Sequence, residues 1–275
     1  MKSAYPEQRS ENIVSAKTLA WEPPVYQVRE FFAKRTRYCI CITVFNEGDR
    51  IRNQLARMKS QAHLADILIA DGQSSDGSTD PDFLKQMGVQ ALLTTGEYGL
   101  STATRMGVAY AMEHGYEGIV TIDGNGKDGV EALPDFLAEL DNSYDLVQGS
   151  RFMKGGFHKN TPWDRRLGIH WIMVPLLALS CGYRYSDPTN AFRAMSSRFL
   201  KDPRVQPMRR VFVRFNLQLY FIFRAARLGF RVKEIPVVRV YPDDGTVPTK
   251  IHGLRLRFLN LLEFLWVIAG RYNPR

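Results

Sequence analysis

Asp123, Asn125, Lys127 and Asp128 crowd into one short stretch, IVTIDGNGKDG at 119–129. An apolar run ending in Asp123 reads as a buried strand that delivers a carboxylate to its exit, and the glycine-rich polar continuation reads as a turn. A carboxylate placed there can ligate a divalent cation such as Mg2+ or Mn2+. Asn125 adds only a neutral carbonyl oxygen, a weaker ligand, and Asp128 is the substitute carboxylate within reach. Lys127 offers a different chemistry, direct contact with a phosphate. A metal site, a lysine-based phosphate site and an inactive turn all remain open on these residues alone.

Positioning those groups requires a rigid frame, and the surrounding pattern supplies one. Apolar runs at 37–45, 65–72, 89–95, 116–123 and 144–150 alternate with helix-like periods at 49–62, 100–115 and 131–140. Strands and helices in alternation predict an α/β fold, a mainly parallel sheet with helices on both faces. In such sheets ligands bind beyond the carboxyl ends of the strands. That rule lines up Phe45 to Glu47, Asp71 to Asp76, Asp123 to Asp128 and Gly149 to Arg151 along one rim. Residues 1–36 lack periodicity and read as an N-terminal arm; 37–150 form the first half of a single domain and 151–275 the second. The second half is helical in pattern at 163–182, 207–229 and 252–270, with no linker before it.

Each rim residue has a chemical use and a plainer one. Asp71 and Asp76 can accept hydrogen bonds from a ligand's N–H and O–H groups, or simply cap turns. Arg151 can clamp phosphate oxygens at two points, and Arg165 and Arg166 read as a solvated basic face unless, as the resemblance described next implies, one of them meets an acceptor phosphate. Asp187, beside Arg193 in DPTNAFR, is the candidate general base, the candidate positioner of an acceptor, or a turn cap ahead of Pro188. A phosphate acceptor is already ionised and needs no base; a hydroxyl acceptor does.

These segments together resemble a known family. CITVFNEGDRI, ILIADGQSSDGST, GLSTATRMGVAYA, IVTIDGNGKD, DLVQGSRFMKGG, DPTNAFRAMSSRFL and EIPVVRVYPDDGTVPTKI are similar, in order, to motifs of the family 2 glycosyltransferases. The later ones resemble the polyprenyl-phosphate sugar transferases of the dolichyl-phosphate mannose synthase kind. The resemblance implies a GT-A fold, one Rossmann-like sheet, and transfer with inversion from a UDP-, GDP- or CDP-linked sugar. It implies that Phe45, Glu47, Asp71, Asp76, Arg105, Asp123, Gly124 and Lys127 hold the nucleotide sugar, and that Asp187, Arg151, Arg193 and Arg166 serve the reacting centre. It implies Mg2+ or Mn2+ at an Asp-x-Asp motif, here Asp123 and Asn125 with Asp128 nearby, so the second Asp of the motif is replaced.

Composition narrows the partners. The 275 residues are 45% hydrophobic and 24% charged, with a net charge of +9, which suits an anionic partner. Nucleic acid is not expected, because the basic residues lack interleaved aromatic stacking motifs. Three cysteines are too few for a disulfide framework and read as reduced thiols of a cytoplasmic protein, with Cys39 and Cys41 on one strand face. The first 20 residues are polar where a signal peptide would be apolar, and no apolar run reaches membrane-spanning length. Residues 254–270 mix basic residues with an apolar face, which suits a peripheral membrane helix, a core helix or a homodimer contact equally. The favoured acceptor is a lipid phosphate or glycolipid. A non-catalytic binding module is the alternative that the altered motif supports. A sugar nucleotidyltransferase would carry a Gly-rich loop with Arg and Lys after the first strand, where this chain has FNEGDR.

Overall fold

The computed structural model describes residues 21–243 and 253–274. The five expected strands are present as β2 (Tyr38–Val44), β3 (Asp66–Asp71), β4 (Val89–Thr94), β5 (Gly118–Asp123) and β6 (Leu146–Ser150). β1 (Gln27–Glu30) lies within the stretch expected as an arm and pairs antiparallel with β4. Two later strands, β8 (Arg193–Ser196) and β9 (Val232–Pro236), complete one eight-stranded sheet of order β1-β4-β3-β2-β5-β8-β6-β9. The pairs from β4 through β5, and β6 with β9, are parallel, while β8 runs antiparallel between β5 and β6. A separate parallel ribbon joins β7 (Phe157–Lys159) to β10 (Val238–Val240).

Alternation along β2 sorts its side chains to two cores. Ile40, Ile42 and Val44 pack with α1 (Asp49–Met58), α2 (Pro81–Gln86) and α4 (Leu133–Asp141). Cys39 and Cys41 face the other side, under α3 (Leu100–Glu113). α3 lies so close that a Cβ on Gly107 would sit 2.2 Å from the Cys41 sulfur, so only glycine allows the approach. All three cysteines are free and buried.

α5 (Trp163–Leu167) continues through a π-helical stretch, 168–173, into α6 (Val174–Cys181), matching the expected 163–182 helix. α7 (Ser197–Leu200) is a single turn capped by the Ser196 hydroxyl. The expected 207–229 helix shortens to α8 (Asn216–Arg227). α9 (Gly253–Ile268) buries Phe264 and Val267 in the core with α8, each burial contributing about 1.5–3 kcal/mol. Its other side leaves Phe258, Leu261 and Leu265 exposed. Among the described residues, no helix is long and apolar enough to cross a membrane.

Candidate active site

The strand register builds the rim. Val44 pairs with Asp71, Thr43 with Asp123, and Arg193 with both Thr121 and Gln148, so the ends of β2, β3, β5 and β6 and the start of β8 come to one level. The loops after β2 and β3 interlock. Asn46 N donates to Ser74 Oγ (2.9 Å), Ser75 N to Asn46 Oδ1 (2.8 Å), and Gly48 N to Asp76 Oδ2 (2.9 Å). Asp71 is buried and accepts from Ser74 N (3.0 Å) and from the Thr79 hydroxyl (3.2 Å). Asp71 and Asp76 thus cap and fasten these loops. Above them the Phe45 ring is 41% exposed, with Gly72 beneath it, a flat apolar surface suited to stacking a nucleobase. Glu47 pairs with Arg50 at 2.9 Å.

At the end of β5, Gly124 lets the chain cross β2, since a Cβ there would meet Thr43 O and Val44 Cγ2 at 3.0 Å. The next residues fold back on β10. Gly129 N donates to Val238 O (2.8 Å) and Val240 N to Lys127 O (2.9 Å). This docking presents Arg239 to the acidic stretch. Arg239 Nη1 donates to both Asp128 oxygens at 2.6 Å, and Nη2 donates to Asp123 Oδ2 at 3.3 Å. Asp128 is fully buried. Both oxygens of Asp128, expected as a metal ligand, are engaged by the Arg239 guanidinium. Burial works against charge on Arg239, but Asp128 and Asp123 outweigh it and raise its pKa. Burial also pushes Asp123 up, and Arg239 and Lys127 outweigh that to hold it below the usual carboxylate range.

The expected catalytic set is distributed differently from the sequence reading. Asp187 is fully buried and takes Arg151 Nε at 2.7 Å and Arg151 Nη2 at 3.1 Å, a two-point ion pair. Burial opposes its charge and Arg151 overcomes it, keeping Asp187 ionised below its ordinary range. A buried carboxylate held in this way orients Arg151. Arg193 is buried with its guanidinium on the Gln218 and Asn190 carbonyls, so it ties α8 to the rim. Arg105 binds the carbonyls of Glu22, Met208 and Phe212 and fastens the backbone around α3, away from the nucleotide role expected of it. Arg166 is exposed; Arg165 is the one that turns inward, its Nη1 donating to the Tyr241 hydroxyl at 3.2 Å.

Tyr241 was not singled out by the sequence, nor was Arg239. The signal was the alternation in VRVY, where Val238 and Val240 are exposed while Arg239 and Tyr241 turn inward. Burial raises the Tyr241 phenol, but Arg165, Arg239, Lys127 and Arg151 together bring it down to about 8. Lys127 Nζ lies 4.9 Å from the centre of its ring. Burial and Arg239 lower Lys127 to about 8 against the pull of Asp123. One of the 12 tyrosines is therefore expected to ionise near pH 8 in an absorbance titration, a step missing in Tyr241→Phe and moved upward in Arg165→Ala. Because the folded value is depressed, its contribution to stability is complete above about pH 10. That contribution is lost as pH falls through about 8.

The protein offers few oxygens to a divalent cation, which would take the rest of its about six ligands from water and substrate phosphates. Of the Asp123 and Asp128 oxygens, only Asp123 Oδ1 carries no hydrogen bond among the described residues. Here Asp123 and Asp128 both serve Arg239, Asn125 Nδ2 donates to Asp123 Oδ2 (3.2 Å), and Asn125 Oδ1 accepts from Lys127 N (3.4 Å). The buried atoms that lack a hydrogen-bond partner among the described residues include Arg151 Nη1, Arg239 Nε and Asn190 Nδ2, all donors. Among the described residues no three His, Cys, Asp or Glu side chains converge as a metal site. The end of the EIPVVRVYPDDGTVPTKI segment, from residue 244 on, lies outside the described residues.

An undecaprenyl-phosphate mannosyltransferase of Micrococcus luteus is 30% identical over 86% of this chain and 96% of its own. A polyprenol monophosphomannose synthase of Mycolicibacterium smegmatis is 27% identical over 86% of this chain and 89% of its own. Among solved structures, glucosyl-3-phosphoglycerate synthase from Mycobacterium tuberculosis, in complex with Mn2+, UDP and its product, superposes with a TM-score of 0.58. It is 14% identical over 86% of this chain and 80% of its own, a likeness of fold. Residues 39–204, more than half of the chain, match the model of glycosyl transferase family 2, and the chain belongs to that family.

Proposed function

We propose that this chain transfers a sugar from a nucleoside-diphosphate sugar to the phosphate of a polyprenyl lipid at a membrane surface. One observation carries the reading: α5 joins the anion site to an apolar surface. Arg165 reaches Tyr241 and its cation cluster, while Trp163 (74% exposed) and Leu167 on the same helix face outward. The outward stripe continues through Trp171 and Leu179 on the helix ahead, and Arg257 pairs with Asp164 at 2.5 Å to bring Phe258 of α9 alongside. A lipid phosphate needs a cationic seat next to an apolar surface, and these helices offer both. The names of the two mannosyl-transferring relatives specify the same acceptor class.

In this reading the acceptor phosphate oxygen attacks the anomeric carbon as the bond from that carbon to the diphosphate breaks. The phosphate is already ionised, so no side chain need take a proton, consistent with Asp187 being committed to Arg151. Arg165 and Tyr241 seat the acceptor phosphate, Phe45 and the interlocked loops seat the nucleoside, and Lys127 faces the charge that builds on the leaving diphosphate. The direct assay incubates the protein with labelled UDP-, GDP- and CDP-sugars and undecaprenyl phosphate in vesicles and follows a solvent-extractable sugar lipid. No product from any donor would sink the proposal and favour a binding module.

Three variants sharpen it. Arg165→Ala is expected to raise KM for the lipid phosphate by about ten- to hundredfold, the value of a charged hydrogen bond, while Arg166→Ala changes it little. Trp171→Glu with Leu179→Glu is expected to weaken binding to phosphatidylglycerol vesicles by about a hundredfold in a flotation assay. Since both side chains are exposed, thermal stability should stay unchanged.

A further inference from the structure

The solved relative was captured with Mn2+ and UDP together, and its fold is shared, yet this chain places protein cations where the acidic motif would hold an ion. We propose that Lys127, held against β10, supplies the positive charge to the donor diphosphate, so that nucleotide binding here needs no divalent cation. The inference rests on the donor-site reading above and concerns how that site neutralises its ligand.

Three observations carry it. First, the oxygens that would coordinate an ion are committed, Asp123 Oδ1 excepted. Arg239 takes both Asp128 oxygens at 2.6 Å and Asp123 Oδ2 at 3.3 Å, and the Asn125 carbonyl accepts from the backbone of Lys127. Secondly, the charge has the wrong sign for a cation. Arg239, Lys127, Arg165 and Arg151 all act on Tyr241, against the carboxylates of Asp123, Asp128 and Asp187. An arriving Mn2+ would enter a cluster whose cations already outnumber its carboxylates, whereas a diphosphate would complete it. Thirdly, Lys127 is fixed in place. Its carbonyl accepts from Val240 N at 2.9 Å, and its ammonium lies over the Tyr241 ring. An ammonium has three donors and no acceptor, so it can take diphosphate oxygens as they gain charge, and a held group pays little reorganisation when they do.

The test is calorimetric titration of UDP, GDP and CDP into the full chain, first in EDTA and then in Mn2+, with electron paramagnetic resonance of added Mn2+. The expected result is one nucleotide binding in EDTA with a Kd within about twofold of its value in Mn2+, a negligible difference in free energy. The Mn2+ spectrum should stay that of the free ion when wild-type protein is added. Lys127→Gln should weaken the nucleotide by about ten- to hundredfold, and Lys127→Arg should retain most of the affinity. Asn125→Asp with Lys127→Gln, which restores an acidic donor set, should gain a protein-bound Mn2+ signal in the presence of nucleotide. Wild-type binding that requires Mn2+, with a bound-ion spectrum, overturns the inference and leaves the transferase reading intact. No binding under either condition overturns both. The wild-type comparison depends on no variant folding.

Discussion

Replacing Asp187 with Asn is expected to destabilise the protein by about 3–5 kcal/mol, because it strands a buried arginine without its counter-charge. Arg151 and Asp187 are 1% and 0% exposed and joined by two hydrogen bonds, so water cannot take over the missing role. For a chain of this size the loss corresponds to a fall in Tm on the order of 10 °C. Transfer activity should fall with it, since Arg151 would no longer be held beside the rim. A general-base role predicts a different outcome, an intact Tm with only kcat reduced, and thermal denaturation of Asp187→Asn separates the two. Arg151→Met with Asp187→Leu should recover much of the stability without recovering activity, as apolar replacement of a buried pair commonly does. The pH dependence has a definite sign. Asp187 is depressed in the fold, first against burial and then by Arg151. Its stabilising contribution is therefore complete above about pH 4, the ordinary aspartate value, and is lost as pH falls through the lower folded one. Asp187→Asn should lack that acid-dependent component.

The same pair shows which parts of the site can be read from a sequence. β2 to β6 were legible because each is an apolar run closed by turn residues, a local pattern. β1 was not, because all four of its residues are exposed and only its pairing with β4 makes it a strand. Residues 208–214 carry a helix-like composition but stay irregular, their carbonyls taken by Arg105 and by the first turn of α3. At the rim, the register rule placed Asp71, Asp123 and Arg151 at one level, because strand ends fix their height. Which charges pair was beyond its reach. Asp187 meets Arg151 across 36 positions, and Arg239 meets Asp128 across 111. Nothing local to DGNGKDG announces the arginine that occupies it. Similarly, Arg165 and Arg166 are equivalent by composition, and only the direction of the first turn of α5 assigns Arg165 to Tyr241.

Asp128→Asn is expected to be the second large loss, about 3 kcal/mol, at the lower end for a broken buried pair because Arg239 keeps Asp123 as a weaker partner at 3.3 Å. The amide can still accept one hydrogen bond but offers no charge to a guanidinium that burial already disfavours. The consequence should reach the ligand as well. Arg239 would lean on Asp123 alone, and β10 would be held to the 127–129 turn only by its backbone bonds to Gly129 and Lys127, so Lys127 would be less firmly placed. Nucleotide affinity in EDTA should therefore fall together with Tm. If Asp128 were instead a metal ligand, the same variant would spare Tm and abolish only Mn2+-dependent binding. A double-mutant cycle with Arg239→Met decides between them. A shared ion pair predicts that the second substitution costs far less in the Asp128→Asn background than in wild type, a coupling of several kcal/mol, whereas a ligand and a separate structural arginine predict losses that add.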